Sequence, residues 1–236
     1  KISAVIGLIL IIIITVFAII GPGMNDFSYS EQSLTQKNFA PRVKGLEKLG
    51  IFDGSEGMKT TTGTKKINYY EEKGLDDLYY WFGSDNFGRD IWTRTWSGAR
   101  VSLIIAVAAA IIDMVIGMSY GLISGYFGGK VDMFMQRFLE VANGIPRLVI
   151  VTLLLVLQPG MLTIIFALML TEWVGMSRIA RAEMLKLKEQ EFVLASRTLG
   201  AGNFFIIFKE VLPNIIGPII TQVMFSIPTA IFTEAF

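Results

Sequence analysis

Cysteine and histidine are both absent from the 236 residues. Without cysteine there is no disulfide framework and no thiolate zinc site. Without histidine the commonest general base and the commonest metal ligand are missing, so a Ser-His-Asp triad or a histidine-rich metal centre is excluded. Charge is scarce as well. Asp, Glu, Lys and Arg make up 17% of the chain, below the roughly 25% of soluble domains. The net charge is +1, which leaves no basic footprint for nucleic acid. A Walker A loop is also lacking: Gly129-Lys130-Val131 has no phosphate loop before it and no Ser or Thr after the lysine, so the chain cannot hydrolyse ATP by that route.

What is present is apolar. Hydrophobic residues make up 53% and the mean hydropathy is +0.55. They fall in long runs, the pattern of a membrane protein rather than of a large soluble core. Ile2 to Ile20 carries no charge; at about 1.5 Å per residue it is long enough to cross the hydrocarbon layer. A secretory signal has a shorter apolar core and a small-residue cleavage site. Here the run is longer and ends in Gly21-Pro22-Gly23, which predicts a retained helix. Further spans are predicted at Val101–Ser124, about Phe138–Leu157, Met161 to about Met176, and Asn214 to about Phe232, the last broken by Pro218 and Pro228. The fold class is therefore all-α and polytopic.

The stretch from Met24 to about Trp96 is polar, mixed in charge and rich in aromatics. It is too long for a connector and predicts a small packed segment. Thr60-Thr61-Thr62-Gly63 reads as a flexible tip. Gly83–Asp90 lacks the alternating oxygen ligands of a calcium loop and reads as a structural turn built on Gly83, Asp85, Gly88, Arg89 and Asp90. Gly117, Gly121 and Gly125 recur every four residues on one helix face, a pattern suited to close helix approach in a bilayer. No metal site is expected.

Short loops decide orientation. Loop 125–147 carries Lys130, Arg137 and Arg147; loop 177–210 carries Arg178, Arg181, Lys186, Lys188, Arg197 and Lys209; the turn at 158–160 carries none. Both basic loops are expected on the cytoplasmic side, with the turn and the 24–96 segment outside. Asp113 and Glu172 are acids within or near apolar spans. Asp113 and Pro228 are candidate residues of a translocation path. Glu172, close to the cytoplasmic end of its span, reads better as half of an interhelical pair with a basic or hydroxyl group, or as an acid that snorkels to the membrane surface.

From Glu191 to Pro213 the chain has the parts of two short amphipathic helices around Gly200-Ala201-Gly202-Asn203. Phe192, Ala195 and Leu199 fall at helical spacing with Leu194 alongside, and Glu191 and Arg197 occupy the other face. Periodicity alone fits either an interfacial linker or a helix that docks on a cytoplasmic partner. The run resembles the EAA motif of ABC-importer permeases. Ala195, Gly200, Leu212 and Pro213 hold its register, while Leu194, Ser196 and Glu210 depart from it. The longer run Glu191–Ala201 with Val211-Leu212-Pro213-Asn214 resembles the C-type permease of oligopeptide and dipeptide importers. Phe82–Asp90, Gly98-Ala99-Arg100-Val101-Ser102-Leu103, Gly125–Asp132, Pro146, Trp173 with Arg178 and Arg181, and Glu234-Ala235-Phe236 fall in that family's order, over about residues 79–236.

The resemblance implies a type I ABC importer permease: a first helix at 1–21, an extracellular segment at 22–97, and a permease core at 98–236. Within the core, a coupling loop at about 183–212 would use Glu191, Leu194, Ala195, Ser196, Arg197, Leu199, Gly200 and Ala201 against an ATPase. Five spans are legible of the six the family has, so the last helix is expected to lie beyond Phe236. The expected partners are a homologous B-type permease, two ATPase subunits that bind the ATP and Mg, an external peptide-binding protein, the peptide and bacterial membrane lipid. The chain itself is expected to be non-catalytic and without a cofactor. Alternatives are a same-family permease for nickel-chelate or another small solute, an ion-coupled secondary transporter, and a membrane scaffold. A secondary transporter would show internal inverted repeats, and no convincing repeat is visible.

Overall fold

The computed structural model describes residues 2–60 and 63–235, with the side chains of 58–60 and 63–65 outside that description. Thr61 and Thr62 of the expected flexible tip therefore lie outside the described residues. The chain divides into two compact units, Lys1–Val101 and Ser102–Phe236.

The first unit starts with α1, Ile2–Ile20. Its β-branched residues favour strands in water, but in lipid every backbone polar group must be satisfied within the segment, and a helix does that. Two features close its far end. Arg100 donates from Nε to the Ala18 carbonyl at 3.0 Å and from Nη2 to the Ile19 carbonyl at 2.8 Å, satisfying carbonyls the helix leaves open. Gly21 meets Trp96 so closely that a Cβ there would lie 2.7 Å from the indole. The remainder of this unit holds an antiparallel hairpin, β1 (Ser55–Thr60) and β2 (Gly63–Asn68), with Ser55 opposite Asn68. The one-turn helix α2 (Tyr69–Glu72) follows, its start capped by Asn68 accepting from the Tyr70 amide. Phe39, Tyr70 and Tyr80 form the core, with Phe27 stacked on Tyr80 at 4.5 Å between ring centroids. Burial pushes the Tyr80 hydroxyl up to about 12, with help from nearby Asp90.

The helix α3 (Ile91–Ile112) continues through a wide π turn at Asp113–Gly117 into α4 (Met118–Phe127). It stops at Gly128 and Gly129, both left-handed. Then come α5 (Gly129–Gly144), α6 (Arg147–Leu157), α7 (Met161–Thr171), α8 (Val174–Leu187) and α9 (Glu191–Thr198). The chain enters its last helix with α10 (Asn203–Phe205), passes a second π turn at Ile206–Val211, and runs on as α11 (Leu212–Ala235). Among the described residues, Ile2–Gly23, Ile91–Phe127, Met161–Leu187 and Asn203–Ala235 are each long and apolar enough to cross a membrane. The bent pair α5 and α6 makes a fifth span if taken together.

Several boundaries differ from expectation. The third span is two helices meeting at 66°, because Pro146 removes a backbone donor and forces Ile145 into an extended conformation. Arg147 is therefore the first residue of α6, and its half-buried side chain lines a cavity with Glu172 and Ser226. Arg178 and Arg181 sit on α8, which prolongs the fourth span. The second short helix of the 191–213 stretch is the first part of the last span. Pro213 lies within that span, directly after the π turn, where the wider winding relieves the clash of its ring with the preceding turn. Pro218 and Pro228 likewise lie inside α11 without breaking it.

The core of the second unit joins four elements. Leu122 of α4, Met176, Ala180 and Met184 of α8, Val193 of α9, and Ile206, Ile207, Val211, Ile215 and Ile219 of the last helix form one buried cluster.

Candidate functional site

The helix α9 is eight residues long, and one of its side chains is buried. Val193 is fully enclosed in the core cluster, while Glu191, Leu194, Ala195, Arg197, Leu199 and Gly200 are exposed and Ser196 and Ala201 are half-buried. Leu199 is 88% exposed. The end of α9 explains why a glycine stands at 200. The Gly200 amide donates to the Arg197 carbonyl and the Ala201 amide to the Ser196 carbonyl, both at 3.0 Å, and Gly200 has φ +83°. This is a Schellman closure, in which a left-handed residue follows the helix and glycine takes the position without a Cβ penalty. Gly202 has φ −70°, so only the first glycine of the pair is required by backbone conformation.

Two tethers that the spacing did not reveal hold this turn. Tyr126, at the end of α4, donates its hydroxyl to Asn203 Oδ1 at 3.0 Å, and the Arg197 guanidinium lies 5.3 Å from its ring centroid. Val193 anchors α9 from below. A valine flanked by Phe192 and Leu194 carries no periodic signal that separates it from them, so sequence reasoning missed it. The result is a rigid short helix with an open apolar and charged outer face.

The glycine face lies at the α4–α8 crossing. A Cβ at Gly117 would lie 2.6 Å from the Trp173 carbonyl oxygen, one at Gly121 would lie 2.1 Å from that of Ser177, and one at Gly125 would lie 2.9 Å from that of Arg181. The two backbones are thus in direct contact. Near the end of this crossing Arg181 donates from Nε and Nη2 to the two carboxylate oxygens of Asp132, both at 2.6 Å, and Ser124 donates to the same carboxylate at 2.5 Å. This bidentate pair ties α8 to α5.

At the α5–α6 break a polar cavity of about 230 Å³ is lined by Asn143, Arg147, Glu172, Gln222, Ser226 and Thr229, among others. Arg147 Nη1 lies 2.9 Å from Glu172 Oε2, and the Glu172 side chain is only 3% exposed. The partner of Glu172 is thus Arg147 on a different helix. Asp113 is fully buried in the first π turn, and neither of its carboxylate oxygens has a hydrogen-bond partner among the described residues. Pro228 is exposed beside Thr229 on α11. Neither Asp113 nor Pro228 is among the residues that line this cavity: Pro228 is next to its wall residue Thr229, and none of the lining residues comes from the helix that carries Asp113.

The Gly83–Asp90 turn is self-contained. Asp85 Oδ1 accepts from the Phe87 and Arg89 amides at 2.8 and 3.0 Å, and Oδ2 accepts from Arg89 Nε at 2.7 Å. Burial pushes the Asp85 carboxyl up, but these bonds and the adjacent guanidinium outweigh it, leaving it below its ordinary value. Asp90 Oδ2 caps α3, accepting from the Thr93 amide at 2.8 Å. Gly88 has φ +69°, and a Cβ on it would collide with the Ser33 carbonyl. Asp85, Gly88, Arg89 and Asp90 thus each have a structural task in the turn. No group of acids capable of holding a metal ion is present among the described residues.

Comparison with known proteins decides the family. The profile of the binding-protein-dependent transport system inner membrane component matches residues 117–236. The chain belongs to this family. The N-terminal transmembrane domain of oligopeptide transport permease C matches residues 2–41 of the same family member. The chain is 42% identical to the dipeptide transport system permease protein DppC of Bacillus subtilis, over 99% of its own length and 62% of that protein. It is 39% identical to the oligopeptide transport system permease protein OppC of B. subtilis, over 99% of itself and 65% of the relative. It is 43% identical to DppC of Lactococcus lactis, over 94% of itself and 64% of the relative. The family member thus spans under two thirds of the length of these relatives. It has the helical type I ABC importer permease fold and is a multi-pass membrane protein.

Proposed function

We propose that this chain is the core of a permease subunit in an ATP-driven importer of dipeptides or oligopeptides. The relatives are named as dipeptide and oligopeptide permeases, and the exposed outer face of α9 carries the reading. The subunit does no chemistry of its own. ATP and Mg are bound by two ATPase subunits, a homologous B-type permease supplies the other half of the path, and an external peptide-binding protein delivers the solute.

Work enters at α9, which sits in a groove of the ATPase in the manner of other helix-in-groove contacts. Closure of the ATPase pair moves α9. Val193 passes that motion to the buried face of the last helix, and Tyr126 passes it to α4. The spans then shift between inward-open and outward-open states, a two-state element biased by nucleotide. The Arg147–Glu172 cavity, at the break of the third span, offers the moving peptide polar groups of both signs.

The test is uptake by proteoliposomes holding the full-length subunit with its partners. Labelled di- and oligopeptides should accumulate only with ATP and the binding protein. Accumulation of a nickel chelate in their place would contradict the peptide assignment.

A further inference from the structure

One patch of the first unit has no place in the transport scheme. Residues 43–52 form a loop whose ends are tied together: the Val43 amide donates to the Phe52 carbonyl at 3.1 Å, and the Gly54 amide to the Pro41 carbonyl at 3.1 Å. Gly45, Gly50 and Gly54 are all left-handed, and so is Phe52 at φ +52°. A bulky side chain rarely adopts that conformation, and such an outlier points to a functional constraint. Here it accompanies an exposed apolar rim. Leu49 is 71% exposed, and Leu46, Ile51 and Phe52 are each at least 40% exposed.

The rim lies at the mouth of the first span. Val43, Leu46 and Phe52 share an apolar groove of about 570 Å³ with Trp81, Phe82 and Trp92. Trp92 in turn donates its indole N–H to the Gly21 carbonyl at 2.8 Å, one residue past the end of α1. Indoles concentrate at the level where hydrocarbon gives way to headgroups. The charge on the loop fits that level. Arg42, buried beneath, bonds the Glu47 carboxylate at 2.9 Å, which removes the loop's one acid from outward display. Lys44 and Lys48 stay exposed.

We propose that the 43–52 loop is a lipid anchor: Leu46, Leu49, Ile51 and Phe52 dip into the leaflet beside α1, and Lys44 and Lys48 meet anionic headgroups. Lipid is the occupant because Trp92 joins the groove under the rim to Gly21 and Phe17 at the end of α1, and because the loop carries lysines of the kind that anionic lipid attracts. The inference needs only that α1 and α3 cross the membrane and does not depend on which solute is carried.

These 236 residues contain no cysteine, so a nitroxide can be placed at Leu49→Cys or Ile51→Cys, with Lys66→Cys on β2 as a water-side control. The full-length subunit, any cysteines elsewhere replaced, is assembled with its partners in nanodiscs of phosphatidylethanolamine and phosphatidylglycerol. Collision with oxygen is compared with collision with a water-soluble nickel chelate. At 49 and 51 oxygen should dominate, with the ratio inverted at 66. Ratios at 49 and 51 that match the control would overturn the anchor. So would shielding from both reagents, which would assign the rim to a protein partner. Loss of peptide-stimulated ATP hydrolysis would leave the oxygen ratio unmoved, so failure of the transport reading is distinguishable from failure of this one.

Discussion

Tyr126 and Asn203 are 77 residues apart and joined by a hydrogen bond of 3.0 Å. Together with the Arg197 guanidinium over the same ring, this bond clamps both sides of the Gly200 turn to the end of α4. Tyr126→Phe should cost about 1 kcal/mol, the usual value of one such bond. Tyr126→Ala should also free α9 from α4, lowering peptide-stimulated ATP hydrolysis more than basal hydrolysis in the assembled transporter.

At Gly121 an added methyl has nowhere to go. Gly121→Ala should lower the thermal stability of the detergent-solubilised protein by about 1–3 kcal/mol, the range for overpacking. Gly144→Ala, where a Cβ meets nothing within 4 Å, should be neutral or slightly stabilising. Equal effects at the two sites would show that α4 and α8 are not in backbone contact.

The Arg147–Glu172 pair invites a double-mutant cycle. Arg147→Ala strands a buried carboxylate, which costs about 3–5 kcal/mol when no partner replaces the cation. Glu172→Gln in the same chain should recover much of that loss. Strict additivity in thermal unfolding would mean that the two side chains do not interact.

Acid should loosen the Gly83–Asp90 turn. The Asp85 carboxyl is held below its ordinary value of 3.8. A carboxyl depressed in the folded state contributes stability that is present above the unfolded value and lost as pH falls through the folded one. Amide exchange at Phe87 and Arg89 should therefore be flat from neutral pH to about 5 after correction for intrinsic rates, and should rise below the ordinary value of 3.8. Asp85→Asn should raise exchange at neutral pH and abolish the acid dependence.

Much of this was legible in the sequence. The apolar runs located the four long apolar helices and the bent α5–α6 pair, because a helix that must satisfy its own backbone in lipid leaves a long uncharged stretch. The four-residue glycine spacing marked the face where α4 meets α8. Pairings between distant segments were not legible. Arg147 looked like loop charge because a sequence does not show that Pro146 bends the chain and makes the arginine the first residue of a second helix, within reach of Glu172. Val193 was hidden among apolar neighbours, and the π turn before Pro213 has no local signature. The join of the second short helix to the last span follows from that turn, so it too was invisible.

The central claim is that the exposed face of α9 receives the work of ATP hydrolysis. Leu199, almost wholly exposed, can carry a charge without disturbing the fold, so the decisive measurement is peptide-stimulated ATPase activity of the full complex bearing Leu199→Asp. The account predicts that stimulation is lost while membrane insertion and thermal stability stay as in the unmodified protein. Undiminished stimulation would contradict it.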